Sequence, residues 1–137
     1  MFEREVEALK DAYRIWNDSK GGDNRFVPMM ADDVRWFSLA DGADPMDFTR
    51  PGNGRDHVEA YFAGVARDWA MNHFVAEDFV VDEAAETVVV RSHMSWTNRH
   101  NGKTMATPKL DLIRFRDGRI VEVREFYDTA AVIAAAT

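Results

Sequence analysis

KTMATPKLDLIRFRDGRIVEVREFYDTAA, residues 103–131, decides the fold. It reads as two long strands joined by a tight turn at Asp117-Gly118. Asp-Gly between two alternating apolar runs is the strongest short-range signal for a hairpin. In the first strand Leu110 and Leu112 point one way, and Thr107, Lys109, Asp111 and Ile113 point the other. In the second, Val121, Val123, Glu125 and Tyr127 share a face, and Ile120, Glu122, Arg124, Phe126 and Asp128 share the opposite one. Asp111 and Glu125 therefore sit mid-strand, where a carboxylate is unexpected. Such a residue is either satisfied by a partner or kept for chemistry. Register decides whether the two meet. An unbroken ladder from the turn sets Asp111 opposite Arg124 and diagonal to Glu125. A bulge of one residue would instead bring Asp111 opposite Glu125 or Phe126. Two carboxylates in one cavity repel, so one should be protonated near neutral pH unless Arg91 or Lys109 intervenes.

Outward from the hairpin, residues 73–81 and 87–97 read as two further strands joined by the turn DEAAE, and a polar turn over 98–102 leads into the hairpin. At the N-terminus Phe2, Val6, Leu9, Tyr13 and Trp16 recur at the spacing of one helical face, so residues 2–18 form an amphipathic helix that Gly21-Gly22 ends. Asp23 or Asn24 can cap a short second helix through about Met30, which Pro28 keeps short. Asp32-Asp33 lead into a strand over 34–39. A third helix over 55–70 buries Val58, Tyr61, Phe62, Val65 and Trp69. Between them, DGADPMDFTRPGNG (41–54) is an irregular segment in which Met46 and Phe48 are stranded apolar residues. It is either a loop folded onto the core or a lid over a pocket mouth. The Ala-rich tail forms a helical turn or frays. Helices followed by meandering strands indicate α+β, with three helices ahead of most of a mostly antiparallel sheet.

Composition bounds the function. With 137 residues the chain, 1–137, reads as one domain, and 46% hydrophobic residues suffice for one core. There is no cysteine, so neither disulfide nor thiolate chemistry is available. MFEREVEALK has no signal-peptide core and AAVIAAA is too short to span a bilayer, which together suit a cytoplasmic protein. A net charge of -7 argues against nucleic acid and against an anionic membrane surface as partners. No phosphate-binding glycine loop or dinucleotide fingerprint is present. The four histidines, at 57, 73, 93 and 100, lack zinc-site spacing, so no metal and no cofactor is expected.

FRDGRIVEVREFYDTAAV, following a strand with Asp-Leu-Ile-Arg, resembles the closing hairpin of SnoaL-like and ketosteroid-isomerase-like proteins of the nuclear transport factor 2-like superfamily. ADDVRWFS (31–38) and GRDHVEAYFAGV (54–65) resemble two further blocks in the same order. The resemblance implies a sheet curled into a cone whose mouth holds a small hydrophobic molecule, and a homodimer formed through the outer sheet face. It does not fix the activity. The fold hosts isomerases, dehydratases, epoxide hydrolases, cyclases and non-catalytic binders.

Carried over residue by residue, the resemblance nominates several side chains. Asp111 matches a strand Asp that ketosteroid isomerases keep neutral as a hydrogen-bond donor; its structural reading is a buried ion pair. Glu125 lies where limonene-epoxide-hydrolase-like proteins carry an acid/base Asp; otherwise it is a salt-bridged Glu. Arg91 and His93 lie near the Arg-x-Asp of those hydrolases, or on the outer sheet face with Met94 and Trp96 as pocket wall. His73 and Asp23 occupy places comparable to the His-Asp pair of scytalone-dehydratase-like members, although Asp23 also suits a helix cap. The ketosteroid-isomerase base falls at Ser38, which cannot replace it, and the phenolic donor of its first helix falls at or beside Ala12, next to Tyr13. Trp36 and Ser38 replace the residues that hold the hydrolase water. Tyr13, Trp16, Trp36, Ser38, Phe62, Met94 and Tyr127 would then shape a substrate pocket. The expectation is a cofactor-independent acid/base enzyme, an isomerase, dehydratase or cyclase, acting through Asp111 and Glu125, with His73 or His93 as alternative base. The alternative is a non-catalytic ligand-binding or dimerisation domain. Two titratable groups within hydrogen-bond range at one cavity would separate them.

Overall fold

The structure is a computed structural model that describes residues 2–137. Leu9, Ala12, Tyr13 and Trp16, spaced as one helical face, are the buried side of α1 (Glu3–Asp18). Lys20 and Gly21 at positive φ end it, with the Gly21 amide donating to the Trp16 carbonyl at 2.9 Å. Six strands follow: β1 (Met30–Ser38), β2 (Gly52–Asn53), β3 (Trp69–Asp82), β4 (Thr87–Asn98), β5 (Thr104–Arg116) and β6 (Arg119–Tyr127). α2 (Arg55–Asp68) precedes β3, and α3 (Thr129–Ala136) closes the chain. The strands form one curved, unclosed sheet in the order β2-β1-β6-β5-β4-β3. Every neighbouring pair is antiparallel except β1 and β6, which run parallel. α1 packs on β3 and α2 on β1, so both helices fill the concave face and the core lies between them and the sheet. Among the described residues no helix is long and apolar enough to cross a membrane.

Two element expectations need correction. The helix expected before β1 is only a 3-10 turn, Val27–Met29, because Pro28 sits in it and Asn24 Oδ1 takes up the Phe26 amide at 2.9 Å. The third α-helix is instead the Ala-rich tail. Asp128 caps it by accepting from the Ala131 amide at 3.1 Å, and Val132 and Ala135 anchor it to the core.

The hairpin positions the site. Asp117 and Gly118 both take positive φ, as a tight primed turn needs. Next to the turn Arg116 faces Arg119 and Phe115 faces Ile120. Beyond it Arg114 faces Glu122, so Val121 is an extra, bulged residue. From there Asp111 faces Glu125 and Leu112 faces Arg124. The unbroken ladder, with Asp111 opposite Arg124, is not formed. Because strand faces alternate, this one residue puts Val123, Glu125 and Tyr127 on the concave side and leaves Arg124 outside. Arg124 there stacks over the Phe37 ring and bonds to Glu122 at 2.9 Å, while Arg35 closes on Glu122 from β1.

The irregular segment after β1 is pinned at both ends. The Leu39 amide donates to the Glu125 carbonyl at 3.1 Å, and His57 Nε2 meets the Arg50 carbonyl at 2.9 Å. In the middle, Phe48 lies against the bare backbone of Gly64 on α2, where an added Cβ would fall 2.6 Å from the ring.

Candidate functional site

Between α1, α2 and the concave sheet face lies a cavity of about 90 Å³. Its walls are mostly rings and methionines: Tyr13 and Trp16 from α1, Trp36 from β1, Tyr61 and Phe62 from α2, Met94 and Trp96 from β4. Met46 and Phe48 of the segment after β1 also line it. Three charged side chains interrupt this surface: Lys109 and Asp111 from β5 and Glu125 from β6. They lie at 7%, 4% and 4% exposure, where full charges are costly unless paired.

The pairing is tight. Lys109 Nζ donates to Glu125 Oε2 at 2.6 Å and lies 3.0 Å from Asp111 Oδ1. Tyr13 donates its hydroxyl to Asp111 Oδ2 at 2.6 Å. The Lys109 ammonium also sits 5.0 Å from the centre of the Phe74 ring. Burial pushes the Lys109 pKa down, but the charges of Asp111 and Glu125 and their hydrogen bonds more than offset this, so it stands above the ordinary lysine value. Tyr13 is held well above the ordinary tyrosine value, first by burial and then by the Asp111 charge. Tyr61 is raised likewise by burial and then by the Glu125 charge. Both phenols are donors at neutral pH. Two buried polar atoms of the site make no hydrogen bond: Glu125 Oε1 and Trp36 Nε1. Asp111 Oδ1 has the ion contact to Lys109 but no well-aligned hydrogen bond.

Tyr127 completes the polar side. Its hydroxyl lies 2.6 Å from Ser38 Oγ and accepts from the Ala40 amide at 3.2 Å. Burial and the Glu125 charge raise its pKa, partly offset by the Ser38 contact. The parallel pairing explains the meeting, since Ser38 stands beside Glu125 across β1 and β6. Ser38 itself is buried behind Tyr127.

The structure thus brings Asp111, Glu125, Tyr13, Trp16, Trp36, Phe62, Met94 and Tyr127 to one cavity, with Ser38 touching it through Tyr127. It separates Arg91, His93 and His73 from it. Val90, Ser92 and Met94 point inward from β4, so Arg91 and His93 point outward. A bulge between Met71 and His73 turns His73 to the same outer face. There His73 Nε2 meets His93 Nδ1 at 3.0 Å, and Arg91 pairs with Asp78 and Glu77. The His73-Asp23 pair is not formed either, because Asp23 is taken by Arg25 at 2.8 Å. Among the described residues no group of three or more His, Asp or Glu stands ready to hold a metal.

Sequence reasoning leaves two participants without a role. Lys109 enters it only as a charge that could intervene, although it lies two residues from Asp111 on the same face. Tyr61 enters only as part of a buried helix face. The packing of α2 on the sheet brings it close enough for the Glu125 charge to raise its pKa, which no local pattern encodes.

The sequence profile of the SnoaL-like domain matches residues 9–123. No functionally curated protein matches the chain at a significant level. Among solved structures, a nuclear transport factor 2-like protein of unknown function from Burkholderia pseudomallei K96243 is 24% identical. It covers 97% of each chain with a TM-score of 0.80. A protein assigned as a SnoaL-like polyketide cyclase from Jannaschia sp. CCS1 is 19% identical, over 98% of this chain and 92% of that one, with a TM-score of 0.76. A protein assigned as an isomerase from Rhodopseudomonas palustris is 16% identical, over 96% and 95%, with a TM-score of 0.72. At these identities the likeness is one of fold.

Proposed function

We propose, from the premise that this chain belongs to the SnoaL-like domain family, that it is a cofactor-independent acid/base enzyme acting on a small hydrophobic molecule. The observation that carries the reading is the buried cluster of Lys109, Asp111 and Glu125 inside an apolar cavity. A binding module needs only the cavity. Taking three charges out of water costs several kcal/mol per ion, roughly, before their attraction returns any of it. Groups of this kind in a dry cleft are what proton transfer beside a carbonyl or hydroxyl requires.

The roles follow from the contacts. Glu125 is the proton acceptor, with Oε2 held by Lys109 and Oε1 making no hydrogen bond. Lys109 stays charged and stabilises negative charge as it passes from Glu125 to a substrate oxygen. Asp111 holds Lys109 in place and is itself held by Tyr13. That is a positioning role, in place of the neutral acid the resemblance implies. Tyr61 and Tyr127 are the candidate donors to the substrate oxygen. Isomerisation, dehydration and cyclisation all contain such a step, and the isomerase and cyclase assignments among the structural neighbours fall within that range.

The test does not need the natural substrate. Small ketones in D2O exchange their α-protons when a base and an oxyanion donor act together, and proton NMR follows the loss of signal. The wild-type protein should accelerate exchange, and Glu125→Gln should lower the rate by about 100-fold or more with the fold intact by circular dichroism. Equal rates in the two proteins would remove Glu125 as the base. No acceleration with any ketone would favour the binding module.

The proposed assembly is a homodimer through the outer sheet face. Leu110 and Phe126 are cross-strand partners there, exposed at 43% and 41%. Such a patch suits burial against a second copy. Light scattering should give twice the chain mass at micromolar concentration, and Phe126→Lys should return it to one chain. A monomeric wild type contradicts this assembly.

A further inference from the structure

The charge count in the cavity points to a class of ligand. Lys109, Asp111 and Glu125 together carry two negative charges against one positive. Among the described residues Lys109 is the sole basic side chain lining the cavity. Two of the carboxylate oxygens make no well-aligned hydrogen bond. Glu125 Oε1 accepts nothing, and Asp111 Oδ1 has only the ion contact to Lys109. The opposite walls are rings packed on one another: Trp36 lies 4.9 Å from Tyr61 and 5.5 Å from Phe62, centre to centre. Aromatic faces attract cations, most strongly where water is excluded. A surplus negative charge among apolar walls is little screened, so it favours a cationic guest and disfavours an anionic one.

We propose that the ligand of this cavity is a small hydrophobic amine, bound as its ammonium ion. The ammonium balances the Lys109, Asp111 and Glu125 cluster and supplies the donors its carboxylates lack. The alkyl part fills the ring-walled space. A volume of about 90 Å³, against the roughly 150 Å³ that takes up benzene, limits the guest to a few heavy atoms. The inference rests on the cavity being the ligand site, as in the reading above, and is independent of proton transfer there.

Isobutylamine, isobutanol and isobutyrate share one carbon skeleton and differ in charge. All four tryptophans of the sequence line the cavity, so their fluorescence reports binding. Near neutral pH the amine should bind at least about tenfold more tightly than the alcohol, and isobutyrate should not bind. Glu125→Gln balances the cluster, so the preference for the amine should shrink to about twofold or less. The inference is overturned if the alcohol binds as well as the amine, if isobutyrate binds, or if the amine does not bind. The wild-type ranking stands alone should the variant fail to fold. Amine binding without ketone exchange would sink only the catalytic reading. Exchange without amine preference would sink only this one.

Discussion

Lys109 is the residue on which the site depends. It is buried between two carboxylates, of which Asp111 also accepts from the Tyr13 hydroxyl. Removing one partner of a buried ionic group leaves charge uncompensated, which is far worse than never having buried it. Lys109→Met keeps the length and apolar stem and deletes the charge. It should therefore lower the unfolding free energy by about 3–5 kcal/mol in urea denaturation. Glu125→Gln leaves the Lys109 and Asp111 pair intact and should cost clearly less. A Lys109→Met variant as stable as Glu125→Gln would mean that the ammonium does not hold the cluster together. The sequence shows Lys109 and Asp111 on one strand face, because alternation is local. It does not show that the pair meets Glu125, because that depends on register.

At the scale of elements, what was legible followed local chemistry and what was not followed pairing between distant segments. The Asp117-Gly118 turn, the face of α1 and the length of the hairpin all come from side chains within a few residues of one another. The bulge at Val121 has no such mark. Val121 continues the apolar alternation, so the unbroken ladder and the bulged one look alike until Arg114 is seen facing Glu122. The same limit applies at β3, where the bulge beside His73 receives Asn17 of α1, whose Oδ1 accepts the Phe74 amide at 2.9 Å. Of the two readings of the segment after β1, the structure shows a segment folded onto the core, with Met46 buried in it and Phe48 packed against it. Met46 and Phe48 line the cavity, and Gly64 makes room for Phe48 by lacking a Cβ.

Seen whole, the molecule encloses its phenols. All three tyrosines of the sequence border the cavity, and each has its pKa raised, with burial the leading cause. The folded chain thus holds these protons to higher pH than the unfolded chain, whose tyrosines ionise near their ordinary value of 10.0. Stability from this source is complete below pH 10 and is lost as pH rises above it; the raised Lys109 acts in the same sense. In an alkaline titration the tyrosinate absorbance should stay silent past pH 10 and then rise together with loss of circular dichroism. Three tyrosines ionising near pH 10 in a folded protein would contradict the enclosed site. The parallel pairing of β1 with β6 that helps to enclose them joins segments far apart in sequence, and no periodicity announces it. The bulge at Val121 also bears on how such a site could arise or vanish. A strand that gains or loses one codon there exchanges the entire set of side chains offered to the interior, carboxylate for guanidinium, in one heritable event. Relatives that differ by that single insertion could keep every flanking letter and still present a different interior, so comparing them column by column would overlook the change that matters most.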